Sequence, residues 1–111
     1  VYTWYQTCTE GLDKADSEGY DAEKAGECIL DVLILIQERK YDSYTEDEES
    51  LIEAYQEEVK RKVGTVFGVQ EEALTLLYEE CRVEDEYGVY FDYQTAKKKV
   101  KNFVKKQIKT N

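Results

Sequence analysis

The stretch Cys28-Ile29-Leu30-Asp31-Val32-Leu33-Ile34-Leu35-Ile36 constrains the fold more than any other part of the chain, being apolar at every position but Asp31. A surface helix shows one apolar stripe, whereas a run apolar all round must be covered all round. It is too short for a bilayer span, which takes roughly 20 apolar residues. The β-branched residues Ile29, Val32, Ile34 and Ile36 would also suit a buried strand. The upstream spacing decides. Ala22, Ala25 and Ile29 lie on one helical face, and no turn residue falls between Glu27 and Lys40. The sequence therefore predicts a central helix over 22–40 inside a small bundle.

The flanking segments are one-sided. Val1, Trp4, Tyr5, Cys8, Leu12 and Ala15 share a face of a first helix reaching about Ser17. Gly19 suits a left-handed helix end, and Asp21 can cap the next helix. The cations of Arg39 and Lys40 suit a helix C-terminus, with 41–44 as connector. Thr45-Glu46-Asp47-Glu48 has the form of a capping box. It opens a third helix with Leu51, Ile52, Tyr55, Val59, Val63 and Val66 on one face and Gly68 as stop signal. Val69, Ala73, Leu76, Leu77 and Cys81 mark a fourth helix opened by Glu71 and Glu72. Residues 82–93 have no helical period and are expected to be irregular. Ala96, Val100, Phe103, Val104 and Ile108 define a last helix.

At 111 residues without Pro, the chain suits a single all-α domain, 1–111, of about five helices. Charge is segregated. All 25 acidic residues fall in 1–92 with 8 basic ones, while 93–111 hold seven lysines and no acid. The formal net charge of −10 argues against nucleic acid as the main partner. The lysines are expected to pair with the acidic remainder of the domain. The other reading is attraction of an acidic protein surface or a heparin-like polymer.

The usual catalytic groups are missing. The chain has no His, the commonest general acid–base near neutral pH. Ser17, Ser43 and Ser50 lie in no nucleophile-elbow motif. The carboxylate runs 46–49 and 84–86 are hydrophilic, so nothing there would raise one pKa. No Gly-rich phosphate loop occurs. The three thiols lie far apart without imidazoles, and neither acidic run has the form of a calcium loop. No catalytic residue, metal or cofactor is expected, and no membrane partner.

The cysteines leave alternatives open. A Cys28–Cys81 disulfide would staple the central helix to the fourth, worth about 4 kcal/mol by the chain-entropy model. Cys8 would then be a buried free thiol. A Cys8–Cys28 bridge across the first hairpin is the second option, and no bridge the third. An odd count suits the cytosol better than secretion. The start at Val1, already helical in pattern, suits the expectation of a mature chain after signal removal, although a chain cut at Val1 for expression would begin the same way. Asp31 is expected on the exposed edge of the central helix, or accepting from a Tyr hydroxyl or a Lys of the last helix.

Trp4-Tyr5 followed by Cys8, Glu27-Cys28-Ile29-Leu30-Asp31-Val32-Leu33, Leu51-Ile52-Glu53-Ala54-Tyr55 and Tyr78-Glu79-Glu80-Cys81 stand together over most of the chain. The whole resembles the small secreted salivary proteins of anopheline mosquitoes, the family that includes anophensin and albicin. The resemblance implies a secreted inhibitor of host plasma cascades. Its partners would be components of the complement C3 convertase of the alternative pathway or factors of contact activation of coagulation. It carries over no functional residue. Candidate contact residues come from the chain itself: Tyr87, Tyr90, Phe91 and Tyr93 in the aromatic stretch, and Lys98, Lys101 and Lys105 on the last helix. The favoured structural reading is that those rings fold back as a lid on the core. A carrier of small apolar ligands and an intracellular acidic interaction module are the competing classes.

Overall fold

A computed structural model describes residues 2–37 and 45–109. Its elements are α1 (Tyr2–Glu18), α2 (Ala22–Ile36), α3 (Glu46–Phe67), α4 (Glu71–Glu80), β1 (Arg82–Asp85), β2 (Gly88–Phe91) and α5 (Tyr93–Gln107). The Cα radius of gyration, 14.2 Å, is close to the value of about 13 Å for a compact chain of this length.

The chain ends its helices as the sequence proposes. Asp21 accepts from the Lys24 amide at 2.8 Å and caps α2. Thr45 and Glu48 complete the reciprocal capping box of α3, at 3.1 and 3.0 Å. Gly19 (φ 85°) and Gly68 (φ 73°) take the left-handed conformation that other residues resist.

Helix α2 lies against α1, α3 and α5, and α4 packs on α3 and α5. Ala25, Cys28, Ile29, Val32, Leu33 and Leu35 are buried, and Leu30, Ile34 and Ile36 are partly so. The all-round apolar run is thus covered on several sides. Polar ties fix its neighbours. The Trp4 indole N–H donates to the Asp31 carbonyl at 2.8 Å. Gln56 of α3 donates to the carbonyls of Leu35 and Ile36 at 3.0 and 3.3 Å, satisfying acceptors that a helix end leaves open.

Three expectations need correction. First, α2 closes at Ile36, where the Gln37 amide bonds back to the Leu33 carbonyl. The expected continuation over 38–40 and the connector 41–44 lie outside the described residues. Second, 82–93 is not irregular. It holds an antiparallel hairpin pairing Arg82 with Phe91, Val83 with Tyr90, Glu84 with Val89 and Asp85 with Gly88. Neither Glu86 nor Tyr87 has positive φ, which excludes the primed two-residue turns. Asp85 instead accepts from the Tyr87 amide at 2.8 Å, and Gly88 turns the chain at φ 127°.

Third, Cys28 and Cys81 form no staple. Cys8, Cys28 and Cys81 are all buried free thiols. The physical reason is that they serve different interfaces. Cys28 faces α1, its sulfur 3.6 Å from where a β-carbon on Gly11 would stand. Cys81 closes α4 and feels the charges of Glu80 and Lys99. Burial of apolar side chains, without a crosslink, joins the elements.

Leu33 is fully buried, whereas Leu51 is 51% exposed. Leu33→Ala is expected to lower unfolding free energy by about 2–5 kcal/mol. Leu51→Ala should change it by no more than about 0.5 kcal/mol. Urea denaturation of both variants checks this, and equal losses would contradict the assigned core.

Candidate functional site

The aromatic stretch divides in the structure. Tyr87, at the tip of the β1–β2 hairpin, is 90% exposed, and Tyr90 and Tyr93 are 42% and 46% exposed. The hairpin register explains this. Tyr90 stands opposite Val83, while Phe91 falls on the other face and stacks on Tyr78 of α4 with centroids 5.9 Å apart. One ring therefore acts as the lid and three remain in water, while Val89, on the Phe91 face of β2, is 43% exposed. Asp92 links hairpin to helix. It caps α5 through the amide (2.9 Å) and hydroxyl of Thr95, and these bonds hold its carboxyl below its usual range, with Lys98 adding to the effect.

Lys98, Lys101 and Lys105 lie on α5 and are exposed, as are Lys97, Lys99, Lys106 and Lys109. Among the described residues the expected pairing with the acidic remainder does not form. Among the described residues the ion pairs are Lys60–Glu57, Lys62–Asp13 and Arg82–Glu79, and none involves an α5 lysine. Lys97 instead sits over the Tyr93 ring, 5.4 Å from its centroid. That contact is where the tyrosine cluster and the lysine face meet. Lys98 to Lys105 run on along the helix for about 10 Å.

Two features were not anticipated from the sequence. One is an open groove of about 550 Å³ between α2 and α5. Leu30, Val100 and Val104 form its floor, Glu23 and Glu27 one wall, and Lys97, Lys101 and Lys105 the other. The small residues Ala22 and Gly26 were its only trace in the sequence. The other is a tyrosine cluster joining α1 and α3. Tyr5 stacks on Tyr55 at 4.3 Å, with Tyr2 alongside. The Tyr5 hydroxyl donates to Glu58, and that bond, with burial, pushes its pKa up to about 12. Tyr5 and Tyr55 each sit at an apolar position of a periodic face, but periodicity does not say which faces meet.

The buried chemistry is quiet. Burial pushes Cys8 up to about 12 and Cys81 up to about 11, and Cys28 is raised as well. All three are therefore protonated near neutral pH and poor nucleophiles. Among the described residues no three His, Cys, Asp or Glu side chains converge to hold a metal ion. No described helix is long and apolar enough to cross a membrane. Asp31 sits half-buried near Cys8 and Cys28 rather than on an open edge, and Trp4 bonds its backbone carbonyl rather than a Tyr or Lys meeting its side chain.

No protein-family model, curated protein sequence or solved structure matches the chain.

Desolvation raises the pKa of the Asp31 carboxyl, and Glu27 adds to the shift. A carboxyl whose folded pKa exceeds its unfolded value, near 3.9, adds stability below that value. The contribution is lost as pH rises through the folded value, so at neutral pH the ionised group works against the fold. Asp31→Asn is expected to be more stable than wild type at pH 7, with the gap closing toward pH 3. Denaturant titrations at both pH values test this. A gap that does not change with pH would show that the charge is not its cause.

Proposed function

We propose that the protein acts by binding, without chemistry of its own, as a secreted inhibitor of the alternative complement pathway that engages components of the C3 convertase. The observation that carries the binding role is the hairpin. Tyr87 at the hairpin tip, Tyr90 on β2 and Tyr93 at the start of α5 are held in water on and beside a short two-stranded platform. Such rings lose little conformational freedom on contact and are enriched where interfaces concentrate their energy. The platform is fastened to the bundle at its base. The Asp92 amide bonds the Cys81 carbonyl at 3.0 Å, and Phe91 stacks on Tyr78. A contact surface fixed in this way needs little ordering when it docks. The pathway itself is supplied by the resemblance of the sequence to anopheline salivary proteins.

The test is a haemolysis assay driven by the alternative pathway, with a contact-activation clotting assay in parallel. Wild-type protein is expected to suppress lysis and leave clotting times unchanged. Tyr87→Ala/Tyr90→Ala removes two exposed rings, so the fold should survive, and inhibition is expected to weaken at least tenfold. Unaffected lysis with prolonged clotting would move the target to the contact system. No effect in either assay would end the plasma-inhibitor reading. Full inhibition by the folded double variant would take the hairpin out of the site.

A further inference from the structure

The seven lysines of 93–109 have no acid among them, and all seven are exposed. None is in an ion pair among the described residues, although the rest of the chain carries all 25 acids. The structure thus concentrates positive charge along α5, out of ion-pair contact with the nearby carboxylates of Asp92, Glu23 and Glu27, on a protein whose net charge is −10. Lys98, Lys101 and Lys105 follow one another at i, i+3 and i+7 along a crest of α5, Lys98 on the side away from the buried residues Ala96, Val100 and Val104, and Lys101 and Lys105 on the rim of the groove between α2 and α5.

We infer that this crest is a binding site for a linear sulfated polysaccharide. The shape and the residue types select that partner. The crest is convex and its cations are all lysines. Protein interfaces are depleted in lysine and centre on aromatic or Arg anchors, and no such residue stands between Lys98 and Lys105 on this face. Binding there rests on charge. A bilayer is a poorer match. The exposed Tyr93 ring lies under Lys97 at one end of α5 and no exposed apolar side chain lies between Lys98 and Lys105, while a broad anionic plane would also meet the acidic faces of the domain. Single-stranded nucleic acid needs aromatic platforms for its bases, and the crest has none. A thin sulfated chain can follow the ridge while staying clear of the acidic faces. Lys101 and Lys105 form the groove rim across from Glu23 and Glu27, and a chain lying along that rim toward Lys98 keeps to the α5 side of the groove. Tyr87 and Tyr90, the rings replaced for the lysis assay, are not among these lysines, so the outcome on heparin does not decide that assay.

Heparin-agarose is the probe, loaded with the full chain at about 0.15 M NaCl, near physiological ionic strength. Wild-type protein is expected to be retained and to pass through a column of fully desulfated heparin. Three neutralised charges, at roughly 0.7 released counterions each, predict an affinity loss of about 20-fold between 50 and 200 mM salt. Lys98→Glu/Lys101→Glu/Lys105→Glu should pass through the heparin column. Lys14→Glu/Arg61→Glu/Arg82→Glu, with the same net charge placed elsewhere, should be retained like wild type. Lys98→Gln/Lys101→Gln/Lys105→Gln, eluting at lower salt than wild type, keeps the test readable if the Glu triple misfolds. Passage of wild type through heparin would overturn the proposal, as would equal loss in the two charge-reversal triples. Duplex DNA or phosphatidylserine vesicles binding as tightly as heparin would overturn the choice of partner.

Discussion

The fold depends on hiding the apolar surface of α2 from water. Each methylene taken out of water contributes roughly 0.8 kcal/mol, and α2 carries its methylenes on nearly every side. One neighbour could not cover it. The surrounding amphipathic helices each offer one apolar face, and α1, α3 and α5 use theirs on α2. Helix α4 is a second layer, resting on α3 and α5. Because burial is already arranged this way, the cysteines serve as small apolar side chains at interfaces. Their thiols need no partner to hold the elements together.

The same economy shapes the surface. The core takes the apolar face of every helix, and what is left outside differs sharply from one element to the next. Helix α3 begins with four acids that suit its N-terminus, and α5 ends with Lys105 and Lys106, which suit its C-terminus. Helix dipoles therefore explain part of the charge segregation. They do not explain Lys97 to Lys101, which lie in the middle of α5 beyond the first turn, where the helix end has little effect. These central lysines set α5 apart from the other helices. The hairpin stands out for the opposite reason. Its rings face water although Phe91 beside them finds a place against Tyr78.

The helices were legible because their signals are local. Asp21, Thr45 with Glu48, Gly19 and Gly68 each act within one turn, and each does what its type and position imply. The hairpin was missed because its four-residue strands are too short to establish an alternation, and Val89-Tyr90-Phe91 is apolar on both faces. Gly88 was the available signal. The pairing of cysteines was illegible for a different reason. Cys28 and Cys81 both lie at apolar positions, but periodicity cannot tell which neighbour a position faces. Here one faces α1 and the other closes α4. The candidate site was legible in its residues and not in its geometry. Tyr87, Tyr90 and Tyr93 are exposed and Phe91 is not, a split that follows from strand register. The lysines were recognised as a face, but among the described residues no acidic side chain forms an ion pair with them.

The central claim is that α2 is the last element to open. Amide hydrogen exchange under native conditions measures this directly, residue by residue. The amides of Ile29, Val32 and Leu33 are expected to exchange only through global unfolding, with a free energy equal to that from denaturant titration. Those of the β1–β2 hairpin should exchange orders of magnitude faster. Exchange of the α2 amides by local opening, at a rate matching the hairpin or the α5 crest, would contradict the account.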